Sequence, residues 1–189
     1  LKTLKFGLGR VGLFRSRDLV LVSGFAAIYI GYGYVSSVFF RQFTRSLDLF
    51  FLIAVLFAVL AVIVEKPGTA TLLGAVTGLI FFGTPAPAAQ HIAASLVANG
   101  LVFDLYLYFT RMKRVNSMSR THITIAAALG NLVMAIVGLL ALEASGLPIP
   151  AIVWPLALVG DPIVGAAGGL FGLSVARRIR IPTAVARLK

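Results

Sequence analysis

The chain has 189 residues, 59% of them hydrophobic and 12% charged, with a mean hydropathy of +0.99. A soluble domain carries about twice that charged fraction, so the polar surface is too small for water and the solvent is lipid. Net charge is +11, from 17 basic and 6 acidic residues. The basic residues stand in short clusters between apolar runs, without any recognition motif, which argues against nucleic acid and for an orientation signal.

Crossing the hydrocarbon core takes about 20 apolar residues as helix. The first run covers about 19–40, after a basic stretch with Lys2, Lys5, Arg10, Arg15 and Arg17. It is long and lacks an A-x-A exit, so it reads as a retained span rather than a cleaved signal. The second run covers about 47–64 and stops at Glu65-Lys66-Pro67-Gly68. The third is short, about 70–82, and ends at Gly83-Thr84-Pro85-Ala86-Pro87, a helix stop. The fourth covers about 88–109 and contains Asp104. The fifth covers about 122–142, closed by Glu143 and Gly146-Leu147-Pro148. The sixth covers about 151–176, with Asp161-Pro162 near its middle.

Threading these runs six times puts all but two of the 17 basic residues on one side; only Arg41 and Arg45 fall on the other. Basic residues mark the cytoplasmic side. The expectation is an all-α integral membrane protein, a single transmembrane domain over 1–189. It is a compact bundle of six transmembrane helices with N- and C-termini cytoplasmic. The short third span is the element most open to tilting or re-entry.

Small residues recur every four positions on three spans: Ser23, Ala27 and Gly31; Gly74 and Gly78; Gly165 with Gly169 and Gly168 with Gly172. Such seams let helix backbones approach closely in lipid. On the third and sixth spans they read as packing within the bundle. The first ladder faces either its own bundle or a partner protein.

Polar groups at membrane depth are costly and mark function or interhelical bonding. Asp161 is expected near mid-depth, with Trp154 seven residues earlier on the same face, so that the two line an outward cavity with an acidic floor and aromatic wall. The other reading makes Asp161 a structural acid bonded to a neighbouring helix. Asn99 and Asn131, mid-depth on the fourth and fifth spans, bond either a ligand or another helix. Asp104 is expected to pair with Arg111 or a loop arginine. Outside stand Arg41, Arg45, Gln90 and His91; the two arginines are suited to an anionic group on a ligand.

Several chemistries lack their residues. There is no cysteine, so disulfides and thiolate chemistry are excluded. His91 and His122 are expected about a membrane thickness apart and cannot share a haem or metal. Nucleophile-elbow, zinc-protease and phosphate-loop motifs are missing. No cofactor, metal site or catalytic residue is expected, and the chain reads as a non-enzyme.

The pattern resembles the substrate-binding S components of energy-coupling factor (ECF) vitamin transporters. Four segments carry the resemblance: Ser23-Gly24-Phe25-Ala26-Ala27-Ile28-Tyr29, Gly74 to Phe82, Ala98-Asn99-Gly100-Leu101-Val102-Phe103-Asp104-Leu105, and Gly165 to Gly172 followed by Arg177-Arg178-Ile179-Arg180. An acid often stands in that family where this chain has Asn99, which leaves the fourth-span role open. The resemblance implies a vitamin-like small molecule captured in an outward pocket, in the plasma membrane of a prokaryote. Substrate-binding residues would come from Arg41, Arg45, Gln90, His91, Asn99, Asn131, Trp154 and Asp161. It also implies partners: Ser23, Ala27 and Gly31 would dock on a transmembrane coupling subunit driven by two cytoplasmic ATPase subunits, within membrane lipid. The alternatives are a non-catalytic scaffold subunit of another membrane complex and a small lipid-modifying membrane enzyme.

Overall fold

The computed structural model describes residues 14–39, 47–83, 89–112, 118–146 and 148–186. They form six helices: α1 (Ser16–Phe39), α2 (Leu47–Val64), α3 (Thr69–Phe82), α4 (Ala89–Met112), α5 (Arg120–Ala144) and α6 (Val153–Ala186). No strand occurs among the described residues. Five of the helices are long and apolar enough to cross a membrane, and α3 is the shorter apolar exception.

The bundle is apolar outside as well as inside. Val20 and Leu79 are 70% and 72% exposed, while Asn99, Asn131, Asp104 and Asp161 are buried. In water this distribution would be unstable; in lipid it leaves apolar side chains facing hydrocarbon and polar ones inside the bundle.

Glycines set the helix contacts. A methyl group at Gly74 would lie 2.4 Å from the carbonyl oxygen of Leu96, and one at Gly100 2.4 Å from that of Ala70. These approaches run α3 and α4 antiparallel along one another. At Gly165 a methyl would sit 2.6 Å from the Ala127 oxygen, closing α6 on antiparallel α5. At Gly168 and Gly172 it would meet the oxygens of Phe51 and Val55 at 2.6 and 2.5 Å, closing α6 on parallel α2. The third- and sixth-span seams are therefore contacts inside the bundle, as read from their spacing.

The first-span ladder behaves differently. α1 rests lightly on α2 and α3 through Val22, Ala26 and Tyr29, all buried, with the Tyr29 ring edge-on to Phe81 at 6.3 Å. Ser23, Ala27 and Gly31 are exposed on the opposite face, and a methyl at Gly31 would meet nothing within 4 Å.

Two ends follow from this threading. At one, α1, α3 and α5 begin and α2, α4 and α6 finish. There Lys66 bridges Asp18 at 2.6 Å and Arg111 donates to the Glu65 carbonyl at 3.0 Å. Every lysine and arginine among the described residues belongs to this end. The first-loop Arg41 and Arg45 lie outside the described residues. At the other end, Ser36 Oγ donates to Asp48, tying the close of α1 to the start of α2.

One expectation needs correction, and one helix outlasts its span. The apolar stretch of α6 covers Val153–Ile179, and the helix continues to Ala186. Arginine is a good helix former, so Arg177-Arg178-Ile179-Arg180 ends the apolar run without ending the helix. Among the described residues Asp104 takes no arginine as partner. It accepts from Thr71 N at 2.7 Å and Thr71 Oγ1 at 2.8 Å. Gly68, at the N-cap of α3, supplies no side-chain cap. The carboxylate of α4 serves instead, where unsatisfied N–H groups and the helix dipole favour an anion.

Candidate functional site

At the end away from the described lysines and arginines, the helices part around a cavity of about 930 Å3. Small-molecule sites typically measure about 300–1,000 Å3. α6 lines it with Val153, Leu156, Ala157, Gly160 and Asp161, and α5 with Met134 to Leu142 on one stripe. His91, Ile92 and Ser95 of α4 face it, as do Leu47, Leu49 and Phe50 of α2 and Tyr29 of α1. Pro150 and Ile152, from the segment leading into α6, stand at the rim. From Val153 to Asp161 the wall descends eight residues, about 12 Å of helix.

The periodicities explain the lining. On α6, positions 153, 157 and 161 are four apart, so one face of the helix carries the wall from rim to floor. On α4, His91, Ser95 and Asn99 share such a stripe, with Asn99 the first of them below the cavity.

Beneath the floor lies an amide network. Asn131 is 0% exposed. Its Nδ2 donates to the carbonyl of Phe50 at 3.1 Å and to that of Asp161 at 3.3 Å. Its Oδ1 accepts from Asn99 Nδ2 at 3.0 Å, which also meets the Met134 sulfur at 3.2 Å. One side chain thus joins α2, α4, α5 and α6 directly below the cavity. Asn99 and Asn131 do not line it; they hold the backbone that does.

Asp161 is 5% exposed and faces the cavity. Among the described residues its carboxyl meets no hydrogen-bond donor or cation. His91, in the first turn of α4, pairs through Nε2 with Ser145 Oγ at 2.8 Å across the rim. Ser95 turns its hydroxyl back to the Ile92 carbonyl at 3.0 Å. Trp154 is not among the residues lining the cavity it was expected to wall; its indole N–H donates to Glu143 at 3.2 Å, since a half-buried indole seeks an acceptor. Gln90 is exposed beside His91 and does not line the cavity.

His91 and Asp161 are thus brought to one cavity, with Asn99 and Asn131 supporting it. Sequence reasoning passed over Tyr29, Phe50, Ser95 and Met134. The four-residue stripe from His91 through Ser95 to Asn99 was a usable signal for Ser95. Nothing in the spacing marked the aromatic and aliphatic wall residues, which differ from lipid-facing ones only in direction. Among the described residues no three His, Asp or Glu side chains gather as metal ligands. Tyr106 OH meets His122 Nδ1 at 3.0 Å at the opposite end of the bundle.

Compared with known proteins, the chain matches no family model, no curated sequence and no solved structure.

Proposed function

We propose that this chain is the substrate-capture subunit of an ECF-type importer, crossing the membrane six times with both termini in the cytoplasm. The observation that carries the reading is the cavity of about 930 Å3, which opens at one end of the bundle and stops at a buried acid. A scaffold subunit has no use for an open apolar chamber, and among the described residues no cluster of reactive groups surrounds this one. Capture requires a preformed apolar site with few polar groups that fix orientation, and the amide network under Asp161 is suited to hold one.

Orientation supports the same reading. Every described lysine and arginine belongs to the end opposite the cavity, so the charge rule puts the opening outside. α3, although only 14 residues long, lies antiparallel along α4, which favours its crossing with the others. The exposed ladder of Ser23, Ala27 and Gly31 on lightly packed α1 is the surface proposed to seat a transmembrane coupling subunit. Two cytoplasmic ATPase subunits would supply the energy, and the cell membrane of a prokaryote is the setting.

The test is a thermal-shift panel on detergent-purified protein. Vitamins and their precursors are added singly at up to millimolar concentration. One of them is expected to raise the melting temperature in a saturable way, by the mass-action stabilisation of a bound ligand. A panel covering neutral, anionic and cationic vitamins without a single saturable shift overturns the capture reading.

A further inference from the structure

We infer that the cavity's ligand is an organic cation: an apolar or aromatic body among the aliphatic walls, with one protonated nitrogen seated on Asp161. This rests on the capture reading and names its substrate class.

The acids of the chain carry the argument. There are six; four have a partner on the carboxyl and a fifth, Glu65, has an interaction of its own. Asp18 has Lys66, Asp48 has Ser36, Asp104 has Thr71 and Glu143 has Trp154. Asp161 alone has none among the described residues, although it is 5% exposed. An unpaired buried charge is costly. A protein that satisfies its other acids with care leaves this one open toward a chamber.

The surroundings define what fits there. Among the described residues no lysine or arginine lines the cavity, so at its floor a ligand carboxylate or phosphate would meet Asp161, of its own sign. Beside the carboxyl, a methyl group at Gly160 would touch nothing within 4 Å, which leaves room for a ligand head. Ser95 presents an acceptor lone pair, because its proton is committed to the Ile92 carbonyl. Acceptors at the floor match a donor on the ligand, and an ammonium or protonated ring nitrogen makes charge-assisted bonds to a carboxylate. Tyr29 and Phe50 add aromatic surface for the body of the ligand or for the cation itself. The backbone of Asp161 is held by Asn131, so the acceptor is positioned before the ligand arrives.

An isosteric series tests this: 4-phenylbutylamine, 4-phenylbutanol and 4-phenylbutyrate, added to the purified full chain and read by melting temperature and titration calorimetry. The amine is expected to raise the melting temperature saturably, the alcohol to bind at least tenfold more weakly, and the carboxylate not to bind. Asp161→Asn should lower the amine's affinity at least tenfold. Gly138→Leu, which fills the cavity from α5 and leaves Asp161 in place, should abolish the shift. If Asp161→Asn does not fold, the wild-type series decides alone. The cation assignment is overturned by an alcohol or carboxylate that binds as well as the amine, by an amine without effect at millimolar concentration, or by undiminished amine binding in either variant. A neutral or anionic vitamin that stabilises the protein when the amine does not overturns the cation class and leaves capture standing. Silence from both the series and the vitamin panel overturns both.

Discussion

Asp104 and Asp161 are the same residue type, both buried within one bundle, yet their neighbours decide what each does. Asp104 closes the start of α3, where Thr71 gives it two donors and the amides of Ala70 and Gly68 are also directed at it. Removing the acceptor leaves those N–H groups buried and unpaired, at about 1–3 kcal/mol for a lost partner. Asp104→Ala is therefore expected to lower the melting temperature by several degrees, and Asp104→Asn, which keeps an acceptor oxygen, by much less. A melting curve for Asp104→Ala that overlays the wild type would remove the capping role. The sequence marks both acids as costly, since an ionisable residue within an apolar run always stands out. It does not separate them. Neither the Thr71 amide nor the empty chamber beside Gly160 belongs to any local pattern; both arise where one helix end meets another helix. For the same reason Asn131 was visible as a mid-depth amide, but its bonds to Phe50 and Asp161, 81 and 30 residues away, were not.

At the scale of helices, four-residue spacing of small side chains is legible at once, and its meaning is not. Gly168 and Gly172 meet the carbonyls of α2, and Gly74 and Gly78 those of α4. Gly31 meets nothing. Spacing read the third- and sixth-span seams as bundle packing but left the first ladder open, because it fixes which residues share a face, never which way the face turns. The difference makes opposite predictions. Gly172→Leu drives a side chain toward the Val55 carbonyl, and overpacking of this kind costs about 1–3 kcal/mol or more. It should unfold the bundle or lower its melting temperature sharply. Gly31→Leu has open space and should leave the fold and ligand-induced stabilisation intact, while a large side chain in the ladder blocks close helix approach. Co-expressed with its coupling and ATPase subunits, the Gly31→Leu protein should fail to co-purify with them. Normal co-purification with unchanged stability would take the ladder out of the docking surface. Helix limits were far easier to read than helix partners. Pro, Gly and charged stops gave the starts and ends of α2 and α3 within a residue; α4 and α5 run two or three residues past their apolar stretches and α6, whose apolar run ends on helix-forming arginines, ten.

For the molecule as a whole, the position of the cavity and the sidedness of the charges are one question. The cavity opens where α2, α4 and α6 begin; the described lysines and arginines cluster where those helices finish. If the charge rule holds, the opening faces outward and the chamber is placed to collect solute. If it fails, the same chamber faces the cytoplasm and capture from outside is impossible. The chain has no cysteine, so single cysteines report sidedness without background. Ala144→Cys, exposed at the cavity end, should react with an impermeant maleimide added to intact cells. Arg114→Cys and Arg187→Cys should react only after the membrane is permeabilised. The Arg114 position discriminates most strongly, because it follows α4. Were α3 to turn back without crossing, the loop after α4 would move to the outside and Arg114→Cys would label in intact cells. The tail after α6 would move with it, while Ala144→Cys would become protected. That reversed pattern would turn α6 against α2 instead of along it, breaking the parallel contacts of Gly168 and Gly172, and would remove both the six-crossing topology and the outward chamber on which solute capture depends.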